Sequence, residues 1–185
     1  MEFLAECYAN TYVAKKLSQM LNKKLKQPSK VRHSYKQGRD RIIKEIISIS
    51  KRKDRLTIAV IDYEKGISRK FIDVNFELSK IDERILIGIS KHGKNAIAIV
   101  FDPDIEEAFI CRISRELCED IFQFQKLKSR KAYSAIREFI GKPDTKRILN
   151  TIVEKLVEII QRITSSEKSL EHINIATYSY KYRTK

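Results

Sequence analysis

The chain has 185 residues, of which 42% are hydrophobic and 34% are charged, and it carries a formal net charge of +14. This composition favours a folded domain over a disordered chain, and no apolar run reaches the roughly 18–20 residues that a membrane-spanning helix requires. The excess of Lys and Arg favours DNA or RNA as a partner, because basic surfaces attract phosphate backbones. A solvated basic surface without such a partner is the alternative.

The cysteines and the start of the chain bear on location. Cys7, Cys111 and Cys118 are odd in number and contain no Cys-x-x-Cys pair. We therefore expect free thiols rather than a disulfide framework or a zinc site. The first residues lack a basic segment followed by an apolar stretch, so we expect no secretory signal and a cytoplasmic protein.

The first third of the chain alternates predicted strands and helices. The strands combine apolar runs with flanking polar residues, and the helices repeat apolar residues at helical spacing. Asn10 or Thr11 is the expected N-cap of the first helix, and Pro28 ends it. In chain order the stretches are strand "EFLAEC", helix "ANTYVAKKLSQMLNKKL", strand "KVRHSYK", helix "RDRIIKEIISISKRK" and strand "RLTIAVID".

The rest of the chain is predicted to hold further strands and then helices. "KFIDVNFEL" alternates apolar and polar residues, which is typical of a half-buried strand, and "RILIGIS" and "NAIAIVFD" are two more strands joined by the turn "KHGKN". Helices are expected after "FDPD", over "SRKAYSAIREFIG", and from an Asp144 cap through Ile163. The tail "NIATYSYKYRTK" is expected to be disordered or to add an edge strand.

Together these elements predict an α/β fold. The early strand–helix–strand alternation indicates a sheet with a parallel centre and helices on both faces, followed by extra C-terminal helices. No linker divides the sequence into independent parts. We expect an α/β domain over residues 1–125 and a helical extension over residues 126–185 that packs on the same domain.

Acidic residues stand at the ends of three predicted strands. Glu6 ends the first strand, and Asp62 ends "LTIAVID" with Glu64 two residues further on. Four more carboxylates follow "AIAIVF" in the order Asp102, Asp104, Glu106 and Glu107. Ligands of open parallel sheets bind outside the carboxyl ends of the strands, and Mg²⁺ prefers hard oxygen ligands. These residues therefore predict a Mg²⁺ or Mn²⁺ site, with a helix start favoured by its dipole as the alternative for the last cluster.

Two of these stretches resemble the signatures of the Toprim fold. They are "FLAECYANTYVAKKL", a strand ending in Glu, and "LTIAVIDYEKG", a strand ending in Asp-x-acid. The family includes type IA and type II topoisomerases, bacterial primases, small Toprim proteins and the overcoming-lysogenization-defect nucleases. The resemblance implies a catalytic acid–base or metal-site role for Glu6 and a metal-binding role for Asp62 and Glu64.

The stretch "FDPDIEEAFI" resembles the Glu-x-Glu segment of the nuclease branch of that family. It implies that Glu106, with Asp104 or Glu107, supplies further metal ligands, and Asp102 is included in the expected set. The chain departs from the family pattern at three positions. Cys7 stands where the family usually has Gly, and Asn10 stands where it often has an acid. Glu64 stands where the family's Asp-x-Asp motif has its second Asp, so this ligand is one methylene longer.

Basic residues flank the second predicted helix and one turn. Arg32, Lys36 and Arg39 surround Gly38 just before a helix start, where backbone N–H groups and cations together could bind a phosphate. Lys94 lies in the turn "KHGKN". We expect these four residues to contact nucleic acid, and a solvated basic loop is the alternative.

The sequence thus predicts Mg²⁺-dependent cleavage or processing of nucleic-acid phosphodiesters, with a metal-dependent nuclease as the enzyme class. Two alternatives stay open. The first is a non-catalytic nucleic-acid-binding module that keeps the fold. The second is a homodimeric interaction protein, for which the apolar stripe from Ile148 to Ile163 is a candidate face.

Overall fold

The computed structural model describes most of the chain. Backbone and side chains are described between residues 1 and 165, except at 34–40, 52–54, 65, 67–68, 110, 113–117, 120–136 and 138–139. The backbone alone is described at 38–40, 67–68, 110, 113 and 166–181.

Six strands form one mixed sheet. They are β1 (Glu2–Ala5), β2 (Lys30–His33), β3 (Thr57–Asp62), β4 (Phe76–Asp82), β5 (Ile85–Ser90) and β6 (Ala96–Phe101). The strand order is β2-β1-β3-β6-β5-β4. The first four in this order are parallel, and β5 and β4 extend the sheet through antiparallel pairs.

Helices connect the strands and complete the chain. They are α1 (Tyr8–Leu25), α2 (Gly38–Ser50), α3 (Ile67–Asn75), a π-helical turn (Glu106–Ile110), α4 (Cys111–Ile113) and α5 (Pro143–Lys181). No helix among the described residues is long and apolar enough to cross a membrane.

Every residue of β3 and β6 is buried, which shows that both faces of the sheet are covered there. Alternate residues point to opposite faces of a strand, so Ile58 and Val60 join the core that includes residues of α1 and α5. Ala59 and Ile61 join a second core with residues of α2 and α3. The prediction of an α/β fold with a parallel centre and helices on both faces is therefore confirmed.

The start of α5 packs against the domain. Residues of α5 share the first core with α1 and the sheet: Ile148, Leu149, Ile152, Val153, Leu156, Ile159, Ile160 and Ile163. This packing explains the apolar periodicity of the last helix without a partner chain. The division at residue 125 stays a prediction, as does a homodimer.

One predicted strand is largely a helix. Residues 67–75 form α3, and only the end of "KFIDVNFEL" belongs to β4. Ile72 and Asn75 are buried while Val74 is 69% exposed, which is helical spacing rather than strand alternation. The apolar residues 72, 74 and 76 fit a period of two only by coincidence, so the strand prediction was wrong there.

Helix ends also differ from expectation. The N-cap of α1 is Cys7, whose Sγ accepts the Asn10 N–H at 3.4 Å, so neither Asn10 nor Thr11 is the cap. Pro143 begins α5, which places Asp144 in the first turn rather than at the cap. Residues 174–181 continue α5 instead of forming an edge strand. The predicted helix over residues 129–141 lies almost wholly outside the described residues.

The cysteines differ from expectation as well. Cys111 and Cys118 form a disulfide with their Cα atoms 4.5 Å apart, so the prediction that all three thiols are free was wrong for this pair. Cys7 is a free cysteine.

Gly93 allows the turn after β5 to pack against the end of α2. Its φ is outside the left-handed region, but a Cβ there would lie 2.0 Å from the backbone oxygen of Ser50. We expect Gly93→Ala to lower the free energy of unfolding by about 1–3 kcal/mol, because the backbone has to move. Gly141→Ala is the matched control, since a Cβ at Gly141 meets nothing within 4 Å. Denaturant unfolding checks this, and equal stability of the two variants would contradict it.

Candidate metal site at the carboxyl edge of the sheet

The carboxyl ends of β1 and β3 bring two predicted site residues together. The two strands are parallel neighbours, with Ala5 opposite Val60. Glu6 follows β1 and Asp62 ends β3, so both lie at one edge of the sheet. The backbone N–H of Asp62 donates to Glu6 Oε2 at 3.3 Å, which places these residues next to each other.

The carboxylate of Asp62 is held in place by two hydrogen bonds that it accepts. Its Oδ1 accepts a hydrogen bond from Asn10 Nδ2 at 3.3 Å and one from the Ile105 backbone N–H at 3.1 Å. The residue is only 6% exposed. Asp62 thereby links α1, β3 and the segment after β6, and its carboxylate has a fixed orientation at the edge.

Asn10 presents an unsatisfied oxygen beside this carboxylate. Its amide nitrogen faces the acceptor oxygen of Asp62, so the amide oxygen points elsewhere. Asn10 is 0% exposed, and its Oδ1 has no hydrogen-bond partner among the described residues. A buried acceptor without a partner costs about 1–3 kcal/mol, and among the described residues the hydroxyl oxygens of Thr57 and Thr145 are in the same situation.

Carboxylates after β3 and β6 extend the acidic edge. Burial, together with the charges of Asp104, Glu64 and Glu6, raises the pKa of Glu106 to about 7. Burial also raises the pKa of Asp104, with Glu107 and Glu64 contributing. The charges of acids from three chain segments thus act on one another, and a divalent cation would relieve their repulsion.

Asp104 also has a local structural role. Its Oδ1 accepts the Glu107 N–H at 2.8 Å, and its carbonyl accepts the Ala108 N–H at 3.0 Å. These bonds are typical of a residue that begins a helical turn. The helix-start interpretation therefore applies to Asp104 without excluding a metal-binding role.

Asp102 and Glu107 form the outer part of the edge, each beside an arginine. Asp102 lies 3.9 Å from Arg69, and Glu107 accepts a hydrogen bond from Arg84. The sequence predicted Asp102 as a metal ligand but missed both arginines. Arg69 follows the second acidic motif by only five residues, which was the available signal.

The predicted basic residues lie away from this edge or outside the described residues. Arg32 contacts Glu2 at 3.4 Å and also Glu45, so its side chain is directed to the start of β1. Lys36 lies outside the described residues, and only the backbone of Arg39, in α2, is described.

Lys94 lies at the opposite edge of the sheet. The neighbouring Asn95 accepts the Thr57 N–H at 2.8 Å, and Thr57 begins β3 whereas Asp62 ends it. Lys94 lines a cavity of about 620 Å³ between the β5–β6 turn and α5. It therefore does not join the acidic residues, and a role in contacting nucleic acid stays a prediction.

Cys7 is unsuited to nucleophilic chemistry. Burial raises the pKa of its thiol to about 12, and the charge of Asp62 contributes. The reactive form of cysteine is the thiolate, so Cys7 stays protonated near neutral pH. Its position supports the expected role as an unreactive thiol, here capping α1 next to Glu6.

The donors at the acidic edge match Mg²⁺ in chemistry. They are carboxylate oxygens and one amide oxygen, which are the hard ligands that Mg²⁺ and Mn²⁺ take. In the described part of the chain, no three His, Cys, Asp or Glu side chains gather closely enough to form a complete metal centre. Binding would therefore draw side chains of the edge toward one point, with water completing the coordination.

Comparisons with known proteins give one partial similarity. The chain is 31% identical over 100 residues to eukaryotic translation initiation factor 4 gamma of Dictyostelium discoideum. That match covers 48% of this chain and only 7% of the initiation factor. No protein-family model and no solved structure matches the chain.

Proposed function

We propose that the chain is a Toprim-like protein that cleaves or processes nucleic-acid phosphodiesters with Mg²⁺ or Mn²⁺. The observation that carries this proposal is the contact between Glu6 and Asp62, acids 56 residues apart that meet at the ends of two parallel strands. Asn10, whose Nδ2 donates to Asp62 Oδ1 at 3.3 Å, adds a buried amide oxygen next to this pair.

The carboxylates that would hold the cation are those of Glu6, Asp62, Glu64, Asp104 and Glu106. Asp102 instead lies 3.9 Å from Arg69. A bound divalent cation supplies an activated water and stabilises the leaving oxygen in phosphodiester cleavage. In this proposal Glu6 moves protons, which is the role that the resemblance to the Toprim fold implies, and its Oε2 accepts the Asp62 backbone N–H at 3.3 Å.

The net charge supports a polyanionic substrate. A chain with formal net charge +14 attracts DNA or RNA over long distances. The acidic edge alone would repel such a substrate, so a divalent cation is needed there before a phosphate can approach. A cytoplasmic location is part of this proposal.

Glu6→Gln tests the proposal against a matched control. This variant should lose Mg²⁺-dependent cleavage of labelled DNA or RNA by at least about a hundredfold, as expected when a general acid or base is removed. Glu2→Gln is the control, since Glu2 begins the same strand, makes the same charge change and contacts Arg32 and Arg55 instead. Cleavage that is equal in the two variants and the unchanged chain would refute a catalytic Glu6.

A non-catalytic nucleic-acid-binding module is the second candidate. The presence of Asn10 at a position where the resembling family often has an acid favours it, because one negative charge of the site is missing. Under this candidate Glu6→Gln leaves binding of labelled DNA or RNA unchanged, and Mg²⁺-dependent cleavage is absent from the unchanged chain as well.

A further inference from the structure

We propose that Arg69 and Arg84 form a phosphate-binding site that holds the nucleic-acid backbone at the acidic edge. This inference rests on the proposed function, because it names the cations that bring the substrate to the carboxylates. The sequence-based expectation gives this role to Arg32, Lys36 and Arg39, of which only Arg32 has a described side chain, paired with Glu2 and Glu45.

Arg69 is fixed beside the end of β6 by two contacts. Its guanidinium lies 4.1 Å from the centre of the Tyr63 ring and 3.9 Å from the Asp102 carboxylate. The Tyr63 N–H donates to the carbonyls of Phe101 and Pro103, each at 2.8 Å, so the ring beneath Arg69 is anchored to the edge. Stacking on an aromatic ring leaves the donors at the rim of a guanidinium available for a phosphate.

Arg84 lies at the same edge on the other side of the β6 end. It precedes Ile85, which pairs with Phe101, and its carbonyl accepts the Asp102 N–H at 2.9 Å. Its guanidinium donates to Glu107 in the π-helical turn. Backbone and side chain of Arg84 thus both contact the segment that carries Asp104 and Glu106.

The two arginines are exposed enough to exchange partners. Their side chains are 40% and 42% exposed, and those of Asp102 and Glu107 are 37% and 26% exposed. Exposed ion pairs contribute only about 0–1 kcal/mol, whereas charge-assisted bonds from Arg to phosphate are bidentate and stronger. A substrate phosphate can therefore replace Asp102 and Glu107 as the partner at little cost in stability.

Equilibrium binding tests this site by comparing variants that each remove one positive charge. Glu6→Gln serves as the background so that a fluorescein-labelled DNA with duplex and single-stranded parts stays intact in Mg²⁺. Arg69→Ala or Arg84→Ala added to this background should weaken binding roughly tenfold, and each should lower the slope of log affinity against log salt by about one. Arg55→Ala is the control, since Arg55 pairs with Glu2 at the opposite edge, and it should change affinity less than about twofold.

Conservative variants separate phosphate binding from folding. Arg69→Lys keeps the charge but loses the planar fork, so its affinity should fall between those of the unchanged residue and Arg69→Ala. Affinities for Arg69→Ala and Arg84→Ala that match Arg55→Ala would overturn the inference, even if the unchanged chain cleaves DNA and so supports the proposed function. Absence of both DNA binding and Mg²⁺-dependent cleavage in the unchanged chain would refute both proposals.

Discussion

Replacing Glu106 with Gln is expected to raise the free energy of unfolding by about 3 kcal/mol at about pH 8 in EDTA. Burial and the charges of Asp104, Glu64 and Glu6 raise the pKa of Glu106 to about 7 in the folded chain from an ordinary value of 4.5. The folded state therefore binds more protons between these two values, and stability falls as pH rises through this range. Above it, the folded chain bears the full unfavourable energy of an ionised Glu106, which Gln removes.

Denaturant unfolding between about pH 4 and pH 8 measures this effect. The unchanged chain should lose stability across the range, and Glu106→Gln should lose less, with the raised pKa of Asp104 accounting for part of what remains. Glu107→Gln is the matched control because it removes the adjacent carboxylate, which is paired with Arg84, and should change stability by no more than about 1 kcal/mol. Parallel pH profiles for the unchanged chain and Glu106→Gln would contradict the account.

Replacing Asn10 with Asp is expected to cost about 3–5 kcal/mol of stability in EDTA and to make stability strongly dependent on Mg²⁺ or Mn²⁺. Asn10 is fully buried and its Nδ2 donates to Asp62 Oδ1. Asp cannot donate when ionised, so the change removes this bond and places two buried carboxylates against each other. A divalent cation between them would restore the lost energy, because it binds the folded state only.

Asn10→Ala separates the charge from the lost hydrogen bond. It removes the donor to Asp62 and the unsatisfied oxygen together, and should destabilise the chain less than Asn10→Asp. Added Mn²⁺ should recover the stability of Asn10→Asp much more than that of Asn10→Ala, as read from thermal unfolding. If Mn²⁺ leaves the stability of Asn10→Asp unchanged, the edge is not a cation site.

The acidic edge could be predicted because buried parallel strands have a distinct hydrophobic pattern in the sequence. Continuous apolar runs identify strands buried on both faces, and an acid directly after each run has to lie at the carboxyl edge. Glu6 and Asp62 could thus be assigned to the same edge of the sheet from the sequence. The distance between them depends on whether β1 and β3 are neighbours, which the hydrophobic pattern does not specify.

The sequence did not indicate the proposed phosphate-binding residues Arg69 and Arg84, and the reason is physical. The stretch beginning at Lys70 alternates like a strand, so Arg69 was expected in a connecting segment rather than in the first turn of α3. That turn places Arg69 over Tyr63 and beside Asp102. Arg84 reaches the edge only because β4 and β5 add to the sheet as an antiparallel pair. The basic stretch "KVRHSYK" predicted a nucleic-acid contact for Arg32, but in the folded chain Arg32 pairs with Glu2 and Glu45.

The Asn10 oxygen illustrates what sequence patterns leave out. In the sequence Asn10 is a departure from the resembling family, and it suggested an N-cap. Only the fold reveals that the amide nitrogen is used by Asp62, which leaves a fully buried oxygen without a partner among the described residues. That feature depends on the packing of α1 against β3, which no local pattern encodes.

Anomalous diffraction from a crystal soaked in Mn²⁺ tests the central claim most directly. The account predicts a peak at the carboxyl edge, about 2.0–2.4 Å from carboxylate oxygens of both Glu6 and Asp62. No Mn²⁺ peak within coordinating distance of either residue at saturating metal would contradict it.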